Sequence, residues 1–280
     1  MQLPGAECPG LCPGAVRRWR TADRRIRKPR AFRPQLNREA LGGSGGIREL
    51  PEVTVESAGV ANTQDAAERL RGFGPVGLLA IVAIIAGSMA GPLVGAVLVL
   101  AWAQLSQTPM RALGFAAPRS WPATGAVGVV FGIVFKLSMK ALVMPLLGAP
   151  PMNPRYHDLA GNPAALPGML GAVLVSAALG EEVLFRGYFF ERLGKLLGRG
   201  KVALTATILL SAALFALAHY QDQRLPGVEQ AAVTGLVFGG IYAWRKQLWV
   251  VIIAHAAFDL TAVALIYWGW EGPVAHLLFR

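Results

Sequence analysis

The stretch GFGPVGLLAIVAIIAGSMAGPLVGAVLVLAWAQLSQTPM, residues 72–110, contains no charged side chain. A helix that crosses the hydrocarbon core of a bilayer needs about 20 apolar residues, so this run is too long for one span. Gly91-Pro92 interrupts the run, and such a pair is typical of a turn. The stretch therefore predicts two short transmembrane helices joined by a tight turn.

The composition of the whole chain also indicates a membrane protein. Of 280 residues, 54% are hydrophobic and 15% are charged, which excludes an ordinary soluble globular domain. Cys8 and Cys12 lie in an irregular N-terminal stretch, so neither a disulfide framework nor a cysteine zinc site is expected. Two free thiols are consistent with a cytosolic tail.

Five further apolar stretches predict additional spans. They cover about 121–145, 164–190, 202–220, 227–244 and 248–269. Together with the first two helices they predict an all-α, polytopic transmembrane helical bundle of about seven spans. Lys136 and Lys140 fall inside the third span, where they either snorkel to the membrane surface or line a cavity.

The distribution of basic residues predicts the orientation of this bundle. Every second loop is basic, with Arg111 and Arg119, then Arg192, Lys195, Arg199 and Lys201, then Arg245 and Lys246. Loops rich in lysine and arginine remain in the cytoplasm. We therefore expect a multi-pass protein of the cell membrane with its N-terminus in the cytoplasm and its C-terminus outside.

Residues 1–70 differ from the rest in being rich in glycine, proline and arginine. The chain has a formal net charge of +11, and nine lysine and arginine residues crowd positions 17–33. This composition predicts a disordered basic tail, followed by a transmembrane domain at 71–280 with its motif core at 164–269. The expected partner of the tail is membrane lipid, and no nucleic acid is expected because regular aromatic interleaving is missing. No signal peptide is expected, since the first apolar run begins after Arg71.

Three of the predicted spans carry ionisable groups at membrane depth. The fourth contains Glu181-Glu182-Val183-Leu184-Phe185-Arg186, the fifth Phe215-Ala216-Leu217-Ala218-His219, and the seventh His255-Ala256-Ala257-Phe258-Asp259. Each such group costs about 2.5–3.5 kcal/mol on insertion scales, so ionisable residues in spans usually mark a functional site. Their joint occurrence in three spans indicates one shared site.

Helical geometry assigns different roles to the two adjacent glutamates. Glu182 and Arg186 share a helical face, so they are predicted to form a structural ion pair that anchors the helix. Glu181 points about 100° away around the helix axis. As the freer carboxylate, Glu181 is the candidate general base.

Sequence distances place two of these motifs at one depth. Glu181 precedes the turn at Gly198–Gly200 by about as many residues as His219 follows it, so the two face each other in an antiparallel hairpin. His255 lies closer to its own cytosolic turn near Arg245. A site shared by all three therefore requires the hairpin 186–201 to protrude from the bilayer into the cytosol.

The combination of Glu-Glu-x-x-x-Arg, Phe-x-x-x-His and His-x-x-x-Asp in successive late spans resembles the CPBP family of intramembrane metalloproteases. This is the CAAX protease and bacteriocin-processing family, also called Abi, and the resemblance covers about residues 105–270. It implies an all-helical fold and a membrane endopeptidase. It also implies that Glu181 is the catalytic glutamate, His219 its water-activating partner, and His255 the histidine associated with an oxyanion site or a metal.

Asp259 departs from the prenyl-protein-processing members of that family, which carry asparagine at this position. An asparagine amide donates a hydrogen bond to an oxyanion, whereas an ionised aspartate only accepts one. Asp259 is therefore expected to orient His255 or to bind a metal.

The residues leave two chemistries and two classes of function open. Glu181, His219 and His255, with or without Asp259, either hold a zinc ion that activates water or act without a metal. The substrate would be a membrane-associated protein or peptide. The alternative is a non-catalytic protein of the same fold, such as an immunity factor or scaffold, or a transporter that uses these residues as an ion relay.

Overall fold

The computed structural model describes residues 55–279, and these residues form helices and connections without a β-strand. The all-α fold class is therefore confirmed. Most of the basic tail, including Cys8 and Cys12, lies outside the described residues, so the predictions made for it and for the division into domains remain predictions.

The helices follow one another with short connections. In chain order they are α1 Val55–Arg71, α2 Pro75–Met89, α3 Pro92–Leu105, α4 Trp121–Leu146, α5 Leu166–Leu197, α6 Lys201–Ala218, α7 Tyr220–Arg245, α8 Leu248–Tyr267 and α9 Glu271–Ala275. Two short 3₁₀ turns, Met110–Leu113 and Pro154–Leu159, lie in the connections before α4 and α5.

Helix α1 corrects the boundary of the predicted disordered tail. The sequence predicts disorder up to residue 70, but Val55–Arg71 is helical. Its last carbonyls have distant partners: Arg192 donates to Arg71 O and to Gly72 O at 2.7 Å each, and Trp102 donates to Leu70 O at 3.1 Å. Because these donors belong to α5 and α3, the local composition does not reveal that the helix end is stabilised.

The two short helices predicted in the first apolar stretch are present as α2 and α3. Gly91 joins them with a φ of +144°, a conformation that residues with side chains rarely adopt. Pro92 opens α3, where its fixed φ suits the first helical position. The tight turn at Gly91-Pro92 is therefore confirmed.

The prediction of about seven spans is not confirmed. Within residues 55–279, four helices are long and apolar enough to cross a membrane, namely α4, α5, α6 and α8. A fifth span results if Asn62–Arg71 and α2 are joined across their 60° bend. Helix α3 has 14 residues and is about 21 Å long, too short for a hydrocarbon core of about 30 Å. Helix α7 is less apolar because it carries Glu229 and Gln230, and it is interrupted near Arg224 and Pro226.

The outer faces of the helices carry large apolar side chains. Leu79 is 70% exposed, Val82 and Val130 are each 61% exposed, and Leu209 is 53% exposed. Apolar exposure spread over several helices in this way is costly in water and favourable in lipid. Together with the apolar helices, it shows that the chain is a membrane protein.

Close backbone packing fixes α8 against α4. A Cβ atom added to Gly132 would lie 2.2 Å from Ala254 O and 2.8 Å from Ala257 Cβ, so only glycine fits there. A Cβ on Gly128 would lie 2.8 Å from a methyl carbon of Ile253. These contacts set the position of the middle of α8, where His255 lies.

Helix α5 has an irregular hydrogen-bonding pattern around its glutamates. Ala172–Glu181 and Val183–Phe189 are π-helical, with bonds that span five residues, and such turns are rare and frequent at functional sites. The whole helix has 32 residues, more than the about 20 that a transmembrane span needs. This length agrees with a protruding hairpin at 186–201, whose cytosolic location remains a prediction.

Candidate active site

Glu182 lies at the centre of a buried polar cluster. Its Oε1 accepts hydrogen bonds from Arg186 Nη1 at 2.9 Å and from His255 Nδ1 at 2.7 Å. The side chains of Glu182 and Arg186 are 0% and 1% exposed. The predicted ion pair between them is therefore present. Glu182 also joins α5 to α8 through its hydrogen bond to His255, a contact that the sequence did not predict.

Arg186 connects this cluster to two more helices. Its Nη2 donates to Gly235 O of α7 at 3.4 Å, and its guanidinium lies 4.5 Å from the ring centroid of Phe215 in α6 and 5.8 Å from that of Phe238 in α7. Aromatic faces attract a cation, most strongly where water is excluded. The charge of Arg186 is therefore compensated from three sides.

Glu181 has a different environment from that of Glu182. Its Oε2 is buried and has no hydrogen-bond partner among the described residues. The same atom lies 3.8 Å from His255 Nε2, too far for a direct hydrogen bond. An unpaired buried carboxylate oxygen carries a desolvation cost, and the Oε2 of Glu182 shares this feature. The two glutamates differ in Oε1, which in Glu182 accepts from Arg186 and His255.

His219 lies at the junction of α6 and α7. Its Nδ1 lies 2.9 Å from Phe215 O, and because a carbonyl only accepts, Nδ1 is the donor. In the neutral ring, Nε2 is then left as an acceptor. This assignment gives His219 one free basic nitrogen.

Asp259 lies one helical turn beyond His255 in α8. Its Oδ2 is 3.4 Å from His255 Nε2, a longer contact than the 2.7 Å between His255 Nδ1 and Glu182. His255 therefore has a carboxylate near each ring nitrogen. The shorter contact, which orients the ring of His255 more strongly, comes from Glu182. The sequence predicted this role for Asp259 alone.

A cavity of about 1320 Å³ brings together the predicted site residues, which are Glu181, His219, His255 and Asp259. Glu181 and His219 reach it from α5 and α6, in agreement with the equal depth that the hairpin predicts. His255 reaches it from α8. The protrusion of the hairpin at 186–201 remains a prediction.

Two lysines of α4 also line this cavity. Of the two interpretations that the sequence left open for Lys136 and Lys140, the structure shows that they line the cavity. Lys140 forms an ion pair with Glu271 at 2.8 Å, and Lys136 donates to Gln230 at 3.0 Å. These partners lie more than 90 residues away in the chain, so no local signal identified them.

The connection before α5 borders the cavity on one side. Gln223 Nε2 donates to the hydroxyl of Tyr156 at 3.4 Å, and Arg155 lies 3.7 Å from Asp222 in a pair whose side chains are both more than half exposed. Burial raises the pKa of the Tyr156 hydroxyl above its usual value, so the group stays protonated at neutral pH. These contacts join the 154–159 turn to the first residues of α7.

The cavity is lined by side chains of types that can ligate a metal ion. In the part of the chain that the structure describes, no group of three or more histidine, cysteine, aspartate or glutamate side chains is placed to hold one. Glu181, His219 and His255 share the cavity without forming such a group. Zinc binding by these residues therefore remains a prediction.

Residues 163–261 match a family model described as type II CAAX prenyl endopeptidase Rce1-like. The matched segment contains Glu181, His219, His255 and Asp259, so the resemblance indicated by the three motifs is confirmed over these residues. No curated protein and no solved structure matches the chain.

Proposed function

We propose that this membrane protein, whose residues 163–261 match a CAAX prenyl endopeptidase model, is an intramembrane endopeptidase that hydrolyses a peptide bond of a membrane-associated protein or peptide. The observation that carries the proposal is the cavity that Glu181, His219 and His255 line together, with Glu181 Oε2 3.8 Å from His255 Nε2. A carboxylate and two imidazoles in one cavity are the groups that activation of a water molecule requires.

In the proposed reaction, Glu181 is the general base. A water molecule donates one proton to the carboxylate of Glu181 and is oriented by the free Nε2 of His219. Its oxygen attacks the substrate carbonyl, which forms a carbon–oxygen bond and a tetrahedral intermediate. The carbon–nitrogen bond then breaks, and the proton held by Glu181 passes to the leaving amine.

His255 is proposed to stabilise the negative charge of the intermediate. Its Nδ1 donates to Glu182, so Nε2 is the nitrogen on the side of Glu181 and the cavity. When protonated, Nε2 donates to the oxyanion, and such a donor contributes several kcal/mol in a water-excluded site. Glu182 and Arg186 are positioning residues, because they hold the ring without contacting the reacting atoms.

A divalent metal is the second candidate chemistry for the same cavity. Glu181, His219 and His255 would be its ligands, with or without Asp259, and the metal would supply a bound water of lowered pKa. This alternative requires the ligands to move closer together than they are, since the described residues contain no ready metal group.

The proposed location is the cell membrane, with the N-terminus and the 198–200 turn on the cytoplasmic side. The support is the alternation of basic loops with apolar helices. The basic segment at 17–33 would then contact anionic lipid of the cytoplasmic leaflet.

The test is turnover by the purified protein in lipid nanodiscs. The probes are a fluorescent prenylated CAAX-type peptide and a fluorescent lipid-anchored bacterial peptide, with Glu181→Gln as the inactive control. We expect the wild type to cleave at least one probe, and Glu181→Gln to lower the rate by about 100-fold or more. Equal cleavage by both proteins, or none by the wild type, would overturn the proposal and favour the non-catalytic alternative.

Metal content of the same samples separates the two chemistries. The metal-free mechanism predicts that a chelator leaves turnover unchanged and that no stoichiometric zinc is present. Loss of turnover with the chelator, restored by zinc, would favour the metal mechanism and retain the peptidase function.

A further inference from the structure

The connections between helices gather at two opposite ends of the bundle. At one end, Leu248 N at the start of α8 donates to Gly114 O at 2.8 Å. Lys246 Nζ lies 6.0 Å from the ring centroid of Phe190, in the last two turns of α5. These contacts bring together the connections that follow α3, α5 and α7, and we call this end of the bundle the basic end.

The connections that follow α4, α6 and α8 meet at the opposite end. Glu271, after α8, accepts from Asn153 N at 3.3 Å, and Gly161 N donates to Tyr267 O at 3.0 Å. The 154–159 turn contacts the first residues of α7 at the same place. All three connections therefore lie on one side of the membrane.

The two ends differ in charge. At the opposite end, residues 147–165, 219–226 and 268–279 contain Arg155 and Arg224 against Asp158, Asp222 and Glu271. At the basic end, residues 106–120, 191–201 and 245–247 contain one acidic residue, Glu191, and eight basic residues, which are Arg111, Arg119, Arg192, Lys195, Arg199, Lys201, Arg245 and Lys246. Because connections rich in lysine and arginine remain in the cytoplasm, the charge difference favours an external location for the opposite end.

The cavity that contains Glu181 opens at the opposite end. Three exposed residues of that end, Arg155, Asp222 and Arg224, line it together with Glu271. None of the charged residues named for the basic end lines it. The cavity mouth therefore lies at the end of the bundle that is poor in basic residues.

The route from the cavity to the basic end is filled by buried side chains. Beyond Glu181 in α5, the side chains of Glu182, Arg186 and Tyr188 are each at most 1% exposed. Tyr188 packs edge-on against Trp102 of α3, with 5.0 Å between the ring centroids. A peptide on the side of the basic end has no open path to Glu181 through these residues.

We propose that the catalytic cavity opens to the non-cytoplasmic side of the membrane and that its substrate is an extracytoplasmic segment of a membrane-anchored protein or peptide. This inference rests on the proposed peptidase function. A chain held in the cytoplasmic leaflet would have to carry its polar backbone across the hydrocarbon core to reach Glu181, which is costly. The substrate class is therefore an exported chain, and the cleaved product is released outside the cell.

The first part of the test measures which side gives access to the cavity. Single cysteines are introduced into the full chain after both native cysteines are replaced by serine. Ser176→Cys lies in the cavity wall, Gln221→Cys lies at the exposed rim, and Arg199→Cys in the turn at the basic end is the matched control. Intact cells of a bacterial host are treated with a charged, membrane-impermeant maleimide, before and after permeabilisation.

We expect Ser176→Cys and Gln221→Cys to be labelled in intact cells. Arg199→Cys should be labelled only after permeabilisation, because the charged reagent does not cross the hydrocarbon core. The reverse pattern would place the cavity mouth in the cytoplasm and overturn the inference, whether or not the protein is a peptidase.

The second part measures the side of cleavage with the wild-type chain. Right-side-out and inverted membrane vesicles are prepared from the same cells, and the fluorescent lipid-anchored bacterial peptide and the prenylated CAAX-type peptide are added from outside. Vesicles that contain Glu181→Gln correct for proteases of the host. We expect cleavage in right-side-out vesicles and its loss in inverted vesicles, with recovery after detergent opens the inverted vesicles.

The outcomes separate the two proposals. Cleavage confined to intact inverted vesicles, or equal in both kinds, would overturn the external opening and retain the peptidase function. Labelling of the cavity cysteines from outside, without cleavage of either peptide even in detergent, would support the external opening and refute the peptidase function. If a cysteine variant does not fold, the wild-type vesicles still test the side of cleavage.

Discussion

His255 Nδ1 donates a 2.7 Å hydrogen bond to Glu182 Oε1, the oxygen that also accepts from Arg186 at 2.9 Å. Two donors therefore depend on one buried carboxylate oxygen. The ion pair predicted within α5 thus also fixes the orientation of a ring in α8, and Glu182 has both a structural and a positioning role.

Replacing Glu182 by glutamine should destabilise the protein. The amide cannot neutralise Arg186, and breaking a buried ion pair by removing one partner costs about 3–5 kcal/mol. Thermal unfolding in nanodiscs should show a lower Tm, and turnover should also fall, because the orientation of His255 is no longer fixed.

Glu181→Gln is the matched control for that substitution. It leaves the Arg186 and His255 contacts of Glu182 intact, so we expect a wild-type Tm together with lost turnover. Interchanged results for the two variants would show that the roles of the carboxylates are assigned backwards.

Asp259→Asn tests how His255 Nε2 is supported. If Asp259 orients the ring or contributes to a metal site, the neutral amide should lower turnover by about 10–100-fold, as is typical when a supporting carboxylate is changed. The alternative is that a permanent donor at this position aids the oxyanion, in which case turnover persists or rises. Turnover and metal content of the variant distinguish these outcomes, and unimpaired values of both refute the orienting role.

Arg192→Ala should release helix α1 from the membrane domain. The substitution removes two 2.7 Å bonds to the carbonyls of Arg71 and Gly72, each worth about 1.5–3 kcal/mol as bonds to a charged donor. Hydrogen exchange should become faster in α1. Lys195→Ala, which removes a half-exposed partner of Glu191, is the control and should leave exchange in α1 unchanged; equal rates in both variants would contradict the assignment.

A topology experiment tests the orientation of the bundle. A reporter inserted in the 198–200 turn should be cytosolic, and one inserted at 150–153 should be external, because basic loops alternate along the chain. Accessibility labelling of single cysteines at the same sites provides an independent measurement. The opposite pattern at both sites would reverse the proposed orientation.

The sequence predicted those features that depend on local spacing. The four-residue interval between Glu182 and Arg186 was enough to predict their ion pair. The similar sequence distances of Glu181 and His219 from the turn at residues 198–200 predicted that they lie at one depth, and both line one cavity. Features that depend on distant partners were not predictable. The end of α1 is stabilised from α3 and α5, and the contact of Glu182 with His255 spans 73 residues.

The number of spans shows a different limit of sequence reasoning. Apolar stretches at 92–110 and 227–244 predicted two spans, but hydrophobicity alone does not fix where a helix ends. Helix α3 ends at Leu105, and Gln230 of α7 lines the cavity, where it contacts Lys136. This polar residue inside an apolar stretch is thus part of the cavity wall.

The shared oxygen of Glu182 also restricts the route by which a lipid-anchored chain reaches the cavity. Parting α5 from α8 would break the hydrogen bond between His255 and Glu182 and leave both buried groups without that partner in hydrocarbon, so lateral entry along that seam is disfavoured. The border at the 154–159 turn is held by a 3.4 Å contact between Tyr156 and Gln223 and by the exposed pair of Arg155 and Asp222. Because exposed ion pairs contribute little to stability, we expect a substrate chain to enter there.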